Sequence, residues 1–383
     1  MEYRLFGKTE QCVSALGLGT MRLPLLDGDQ GSSSYGSEQV DVNSSIRCIH
    51  SAIEQGINYI DTAYNYMGGR SEEIVGMALA HGLRDQVYIA TKSPTWLIHT
   101  EQDFDRILSE QLEKLQTDHI DFYLLHSLNE TNWQKVKQFD LLEKIQQAKA
   151  SGTVRFIGFS FHDEFPLFRE IVDSIEWDFC QIQLNYIDTA HQAGLEGLYY
   201  AAQKGLGVSI MEPLRGGYLV HPPESVVELL RKHGRTPIGF ALEYLWQQNG
   251  VSLILSGMCS PEQITENIRY QTFPQPPLSD NQMQALAAEA AERIHDANLI
   301  GCTGCRYCVS GCPASIPIPD YFQCYDTYLH GNDDATKDQY RAIKASPGVG
   351  TVQQCLTCHH CETICPQKIS IIQWLKKIDH LLR

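Results

Sequence analysis

Short apolar runs and amphipathic segments alternate along most of the chain. Eight runs rich in β-branched and aromatic residues predict strands, and the segments between them repeat apolar residues at helical spacing. Gly56, Gly152 and Gly205 follow helical segments at positions where a left-handed residue commonly ends a helix. Such uniformly apolar strands are typical of a parallel sheet covered on both faces. The predicted strands are Val13–Gly19, Ile57–Asp61, Val87–Lys92, Ile120–His126, Phe156–Ser160, Phe179–Asn185, Gly207–Glu212 and Val251–Ser256.

This βα alternation predicts an α/β fold, a (β/α)8 TIM barrel. A doubly wound sheet is the alternative, and it is less favoured because the glycines at 17 and 19 lack the third glycine of a dinucleotide fingerprint. The residues around 7–9 predict a hairpin that closes the bottom of the barrel. Because Phe273–Pro277 is typical of a stiff linker, we expect a barrel domain over residues 1–272 and a second unit over 273–383.

Charge and composition narrow the class of partner. The chain carries 30 basic and 46 acidic residues, a net charge of −16, which disfavours nucleic acid and anionic membranes. The amino terminus lacks the apolar core of a signal peptide, and no apolar run reaches the ~20 residues that a membrane helix needs. We therefore expect no membrane partner and a cytoplasmic location.

Eight of the 13 cysteines form two short runs with one shared spacing, C-x2-C-x2-C-x3-C-P. That spacing is typical of bacterial two-cluster ferredoxins, in which the fourth cysteine of each run ligates the other cluster. Zinc knuckles are the alternative, but they prefer two separated C-x2-C pairs. After a predicted helix at Ser279–Asn298 we therefore expect a small, mainly α, ferredoxin-like domain with two [4Fe–4S] clusters. The expected ligand sets are Cys302, Cys305, Cys308 and Cys365, and Cys355, Cys358, Cys361 and Cys312.

Three consecutive predicted strands end in Asp61, Lys92 and His126, and Tyr66 follows Asp61 in a loop. In a barrel these ends meet at one mouth, where the chemistry of this fold is found. A phenol with a pKa near 10 becomes a better proton donor when an ammonium stabilises its phenolate. We expect Asp61 to hold Lys92 charged, and Ser71 to cap the helix that follows the loop.

Together the motifs resemble the aldo-keto reductase family, in the branch with a carboxyl-terminal ferredoxin-type domain. The motifs are YRxFGKT from Tyr3, LGLGTMR from Leu16, DTAxxY from Asp61, ATK from Ala90, DFYLLH from Asp121, GFS from Gly158 and QIQLNY from Gln181.

The resemblance implies Tyr66 as general acid/base, Asp61 and Lys92 as its tuning pair and His126 as the group that orients substrate. It also implies a nicotinamide cofactor, NAD or NADP, over the mouth, with Ser160 and Gln183 near its carboxamide. The full implied cofactor set is Gly19, Thr20, Met21, Ser160, Gln183, Met211, Pro213, Leu214, Gly257, Gln263 and Asn267.

The chain departs from the family pattern at several cofactor positions. Phe161 stands where members carry Asn, and Met211 stands where members stack an aromatic side chain on nicotinamide. Gly257 and Gln263 replace the Lys and Arg that grip a 2′-phosphate. Since each lost charge-assisted hydrogen bond costs ~1.5–3 kcal/mol, we expect NAD to be preferred over NADP.

The predicted function is NAD(P)-dependent interconversion of a carbonyl and an alcohol by hydride transfer, on a barrel fused to two [4Fe–4S] clusters. One alternative is a nicotinamide- or redox-sensing regulatory protein, and another is a flavin-dependent electron-transfer subunit. The expected partners are a small carbonyl or alcohol substrate and a soluble one-electron carrier. The clusters could relay electrons or serve as structural centres, and no motif in the loops identifies the substrate.

Overall fold

Eight parallel strands close into a barrel in a computed structural model that describes residues 1–26, 39–272, 278–296, 300–329 and 333–382. The order is β10-β3-β4-β5-β6-β7-β8-β9, with a separate antiparallel hairpin of β1 and β2. Closure confirms the TIM barrel and excludes the doubly wound alternative. The strands are β1 Tyr3–Leu5, β2 Cys12–Ser14, β3 Leu16–Gly19, β4 Tyr59–Asp61, β5 Tyr88–Ser93, β6 Ile120–Leu128, β7 Val154–Phe161, β8 Phe179–Gln183, β9 Gly207–Met211 and β10 Val251–Ser256.

Helices follow the barrel strands and continue beyond the barrel. Gly56, Gly152 and Gly205 take φ values of 94°, 81° and 79° after their helices, which confirms the predicted helix ends. The described helices are α1 Val42–Glu54, α2 Ser71–Ala78, α3 Glu101–Leu115, α4 Glu130–Gln138, α5 Leu141–Ala150, α6 Phe165–Val172, α7 Gly194–Gln203, α8 Glu224–Lys232, α9 Pro237–Trp246, α10 Pro261–Thr272, α11 Asp280–Asp296, α12 Tyr307–Ser310, α13 Ile318–Leu329, α14 Asp333–Ala345, α15 His360–Thr363 and α16 Ile371–Leu382.

The predicted strand at 13–19 is wrong as a single element. It divides into β2, which pairs antiparallel with β1, and β3, which pairs in parallel with β10 and β4. The division lies at Ala15, whose N–H donates a hydrogen bond to the Glu2 carbonyl beside the hairpin while its own carbonyl accepts one from Ile254 of β10. The first half therefore belongs to the hairpin below the barrel.

Aromatic packing fills the bottom of the barrel. The Phe6 ring of the hairpin meets Tyr59, Phe122 and Phe179 at centroid separations of 5.8, 5.0 and 5.4 Å. A side chain at Gly7, where φ is +57°, would come within 2.1 Å of the backbone of Gly207, so the hairpin needs glycine there. With this end packed, the polar side chains gather at the carboxyl ends of the strands.

Beyond α10 the chain forms a second core. Helices α13 and α16 pack buried Tyr321, Phe322, Leu375 and Ile378 against one another. Helix α14 adds the buried side chain of Tyr340 to this core. We call the described residues from 300 onward the carboxyl-terminal unit.

Helix α11 packs on the barrel rather than in the carboxyl-terminal unit. Its residues Met283, Leu286 and Ala290 are buried in the barrel's own core, beside α8. The predicted linker at 273–277 and residues 27–38 lie outside the described residues. The domain boundary at 272 stays a prediction.

Within the described ranges, no helix is both long enough and apolar enough to cross a membrane.

Candidate active site

The barrel brings together the three polar residues that end β4, β5 and β6. Lys92 Nζ donates hydrogen bonds to both Asp61 carboxylate oxygens at 2.8 Å and to the Thr62 carbonyl at 2.7 Å. Lys92 has no exposed surface and Asp61 is 3% exposed. All three ammonium protons therefore have acceptors, which a buried ammonium requires.

A second layer of polar residues lies beneath this ion pair and was not predicted from the sequence. The Glu72 carboxylate accepts hydrogen bonds from Thr91 and from Gln111, each at 2.6 Å. Gln111 also donates to the Lys92 carbonyl at 3.0 Å. These bonds tie α2, α3 and β5 together behind Lys92 and so fix where its side chain starts.

Burial opposes charge on both members of the pair. It raises the pKa of Asp61 and lowers the pKa of Lys92, and the mutual attraction of the two charges counters each shift. Removing either partner would leave one ionisable group buried without compensation.

Tyr66 lies over the pair, in a short turn that spans Tyr66–Gly69. Lys92 Nζ is 4.8 Å from the centroid of its ring, and the His126 ring meets it edge-on at 6.1 Å. Only 6% of Tyr66 is exposed. The left-handed conformation of Met67 and Gly68 turns the chain toward α2 immediately afterwards. The structure thus gathers all four residues predicted for catalysis.

The predicted capping role of Ser71 is wrong. Helix α2 begins at Ser71 itself, and the Ser71 hydroxyl lies 2.7 Å from the Thr20 hydroxyl and 2.8 Å from that of Thr62. Ser71 therefore joins β3 and β4 at the mouth instead of capping a helix.

His126 is held as a neutral imidazole. Burial lowers its pKa well below 6.5, and the nearby Lys92 ammonium adds to this effect. Its Nδ1 is buried and has no hydrogen-bond partner. The centroid of the Trp96 ring, which no sequence motif indicated, lies 5.0 Å from that of the His126 ring. A neutral imidazole at a barrel mouth can hydrogen-bond an oxygen of a substrate.

The residues predicted to bind cofactor lie around the same mouth. Gly19, Thr20 and Met21 are at the end of β3, Ser160 is in β7, and Met211, Pro213 and Leu214 are at and after the end of β9. Gly257 follows β10, while Gln263 and Asn267 are in α10. Several make internal hydrogen bonds: Thr20 Oγ1 to the Asp61 carbonyl, Ser127 N to Ser160 Oγ, and Ser256 Oγ to Asn267 Oδ1.

The Phe161 position, where the family carries Asn, offers no polar group to the mouth. Its ring is buried and packs edge-on against Phe168 of α6, at a centroid separation of 5.1 Å. His162 follows it, and His162 Nδ1 lies 3.2 Å from Gln192 Oε1. The side of the mouth near β7 is therefore lined by His162 and Gln192.

The carboxyl-terminal unit covers part of this mouth. The Pro366 carbonyl accepts a hydrogen bond from Gln192 at 3.1 Å, and the amide of Gln367 bonds Gln183 at 2.9 Å. Across the mouth, Arg22 donates to the Thr303 carbonyl at 2.7 Å. Lys368 and Glu164 form an exposed ion pair at 2.5 Å. No sequence motif pointed to these contacts.

The eight clustered cysteines line two separate cavities. The first cysteine set, Cys302, Cys305, Cys308 and Cys365, lines one cavity together with Thr303 and Gln367. The second cysteine set, Cys312, Cys355, Cys358 and Cys361, lines the other. Each cavity thus combines three cysteines from one run with the last cysteine of the other run. All eight thiols are free of disulfides.

The first cysteine set lies beside the barrel. Burial raises the pKa of Cys302 and of Cys305 to about 12, and the Glu212 carboxylate just after β9 contributes to both shifts. In contrast, Cys358 of the second cysteine set is exposed, as are Leu356 and His359. One cavity therefore faces the mouth of the barrel and the other faces solvent.

Residues 15–290 match the sequence profile of the Aldo/keto reductase family. The chain belongs to this family. It is accordingly an oxidoreductase of the aldo-keto reductase type. Residues 301–370 match a 4Fe-4S dicluster domain, so the chain joins the barrel to a ferredoxin-type domain.

The relatives cover the barrel rather than the whole chain. L-galactose dehydrogenase of Arabidopsis thaliana is 27% identical in a 292-residue alignment that covers 70% of this chain and 87% of that protein. The NADH-specific methylglyoxal reductase of Escherichia coli is 27% identical in a 315-residue alignment that covers 68% of this chain and 91% of that protein.

Among solved structures, a Klebsiella pneumoniae aldo-keto reductase in complex with NADPH superposes with a TM-score of 0.60 at 23% identity. The match covers 76% of this chain and 96% of that chain, and it shows the fold.

The half-buried His162 gives a pH-dependent prediction. Enclosure lowers its pKa from 6.5 to about 4, against a smaller opposing effect of Gln192. Because the folded-state pKa is the lower one, the unfolded chain binds the proton more tightly between these values, and stability falls as pH falls through that window. The free energy of unfolding of the unaltered protein should fall between about pH 7 and about pH 5. In His162→Gln this fall should be smaller by about 1–2 kcal/mol.

Anaerobic denaturant unfolding at both pH values measures this. His99→Gln, at an exposed position on the same barrel, is the matched control. An unchanged pH dependence in the His162 variant would contradict the depressed pKa.

Proposed function

We propose that this protein interconverts a carbonyl and an alcohol with a nicotinamide cofactor, using Tyr66 as the general acid/base. The observation that carries the proposal is the set of contacts around Tyr66: a fully buried ammonium 4.8 Å from its ring centroid and a neutral imidazole beside it. An ammonium close to a tyrosine favours the phenolate form of that tyrosine. The carboxyl ends of the strands are also where a barrel of this kind carries its chemistry.

Each residue has a distinct part in the proposed reaction. The Tyr66 hydroxyl gives its proton to the carbonyl oxygen during reduction and takes it back during oxidation. Lys92, held by Asp61, stabilises the phenolate that remains. Neutral His126 hydrogen-bonds the oxygen of the substrate and so fixes its direction of approach. A bound nicotinamide would supply or accept the hydride.

The residues present suit a nicotinamide. Gln183 already pairs with a primary amide, that of Gln367, so its position suits the carboxamide of the cofactor. Thr20 directly follows β3, Ser160 lies in β7 and Asn267 lies in α10, all at positions where the family pattern has cofactor-binding residues. These contacts support Gln183 and Ser160 as the residues that bind the carboxamide. They also support a cofactor site that continues along the carboxyl ends of β3, β9 and β10.

Preference for NAD over NADP stays a prediction. Gly257 has no charge, and the Gln263 side chain accepts hydrogen bonds from Cys259, at 2.9 Å from its amide and at 3.3 Å from its thiol. The Arg22 side chain, however, runs alongside Gly257. We expect NADH to bind more tightly, and dissociation constants for NADH and NADPH decide: tighter binding of NADPH would refute the preference and point to Arg22.

The Tyr66 assignment predicts a large kinetic effect. Tyr66→Phe should lower kcat at least ~100-fold, as expected for a lost general acid, while the affinity for nicotinamide stays unchanged. Tyr64→Phe is the matched control, because the Tyr64 hydroxyl bonds Glu110 at 2.8 Å, away from the ion pair. Steady-state turnover of a carbonyl panel with NADH under anaerobic conditions measures both. Near-normal turnover in the Tyr66 variant would overturn the assignment.

We further propose that the two cysteine sets hold one [4Fe–4S] cluster each, with ligation crossed between the runs. Four thiols around each cavity fit a cluster in which every iron takes one cysteine. The clusters would place electron-transfer chemistry beside the barrel mouth and at the surface.

Crossed ligation predicts which cluster a substitution damages. Cys312→Ser should disturb the cluster held by Cys355, Cys358 and Cys361, and it should spare the cluster of its own run. Cys324→Ser is the matched control, since Cys324 is buried in the carboxyl-terminal unit outside both cavities. Iron analysis should give about eight irons per chain before substitution, and electron paramagnetic resonance identifies the altered cluster. Loss confined to the Cys302 run would contradict the crossed arrangement.

A further inference from the structure

The side-chain amide of Gln183 has all of its hydrogen-bonding positions occupied. Its Oε1 accepts from Gln192 Nε2 at 3.1 Å and from Gln367 Nε2 at 2.9 Å. Its Nε2 donates to Asp188 Oδ2 at 3.2 Å and lies 3.5 Å from Gln367 Oε1. A primary amide offers two lone pairs and two N–H groups, so nothing is left for a further ligand.

Two of these partners are fixed parts of the barrel. Asp188 also accepts a hydrogen bond from Asn185 at 3.0 Å and pairs with Arg215 at 3.0 Å. Gln192 is 3% exposed and lies against His162. Gln367 is different, because it comes from the loop between α15 and α16 of the carboxyl-terminal unit. It is therefore the partner that can leave Gln183 without disturbing the barrel.

Gln367 presents the same chemical group that a nicotinamide presents. Both are primary carboxamides, and Gln367 faces Gln183 through both its oxygen and its nitrogen. We propose that Gln367 stands in for the cofactor's carboxamide on Gln183, so that nicotinamide binding must displace it. This inference rests on the proposed function, in which Gln183 binds the carboxamide.

The same displacement links the cofactor to the first cysteine set. Gln367 lines the cavity of that set and follows one of its members, Cys365, by two residues. Pro366 between them is anchored to the barrel through Gln192 and through His191, which lies 3.2 Å from its carbonyl. Moving Gln367 aside therefore changes the surroundings of this cavity, and by reciprocity the state of the cavity changes the affinity for nicotinamide.

Removing the competing amide tests the proposal. Gln367→Met keeps the length of the side chain but has no amide to pair with Gln183. Gln367→Ala removes the amide and also shortens the side chain. Since one net hydrogen bond no longer has to be broken, both variants should bind NAD⁺ about two- to tenfold more tightly than the unaltered protein. Anaerobic calorimetric titration of the full chain with NAD⁺ measures this. Iron content shows that each variant has kept its clusters.

Gln373→Ala is the matched control, because Gln373 is an exposed glutamine of α16 in the same unit. Its affinity for NAD⁺ should equal that of the unaltered protein. The circular dichroism of the clusters should change on adding NAD⁺ to the unaltered protein and change less in Gln367→Met.

The outcomes separate the two levels of the proposal. Unchanged or weaker binding in both Gln367 variants overturns the displacement, and weaker binding would mean that Gln367 helps to hold the cofactor. Failure of both NAD⁺ and NADP⁺ to bind to every form, including both Gln367 variants, overturns the proposed function itself and the displacement with it. Tighter binding confined to the Gln367 variants supports both.

Discussion

The arrangement of the barrel mouth depends on one buried ammonium group. Lys92 is fully enclosed, and an ammonium in that position must give each of its three protons to an acceptor. Asp61 provides two acceptors and the Thr62 backbone the third. Because these come from β4 and Lys92 comes from β5, the requirement locks two neighbouring strand ends in register. Tyr66 follows Thr62 by four residues, so the position of its turn depends on where this strand end is held.

The carboxyl-terminal unit adds a second constraint at the same mouth. Its contacts come from two separate segments, around Thr303 and around Pro366–Lys368, and these segments also line the cavity of the first cysteine set. The arrangement places one proposed cluster against the residues proposed to bind nicotinamide and leaves the other toward solvent. A hydride carries two electrons, whereas a [4Fe–4S] cluster accepts one. The short distance between the proposed cluster and the nicotinamide site therefore supports a coupling between cofactor binding and the cluster more directly than it supports electron transfer from nicotinamide to the cluster.

Elements with strong local signals could be predicted from the sequence. The eight barrel strands, the glycines that end helices and the pairing of the cysteine runs all follow from residue type and spacing. The meeting of Asp61, Lys92 and His126 followed from barrel geometry once their strands were recognised. Prediction failed where tertiary contacts decide: the division of the first strand at Ala15 and the hydroxyl contacts of Ser71.

The contacts between the barrel and the carboxyl-terminal unit were invisible in the sequence for the same reason. Gln367 and Gln183 are separated by 184 positions, and neither belongs to a motif that indicates the other. Glu72 and Gln111, which support Lys92 from behind, are ordinary helix residues by pattern. Their roles depend on which helix faces lie against the barrel, and local periodicity does not specify that.

The central claim is that this barrel transfers hydride directly between a nicotinamide and a carbonyl carbon. The most direct measurement uses NADH in which both hydrogens on the reactive carbon of the nicotinamide ring are replaced by deuterium, incubated anaerobically with the full chain and a panel of carbonyl compounds. Direct transfer predicts deuterium on the carbinol carbon of the product alcohol, detected by mass spectrometry. Consumption of NADH with no deuterium in the alcohol would contradict it, because the electrons would then have left through the clusters or a flavin while the hydrogen exchanged with water.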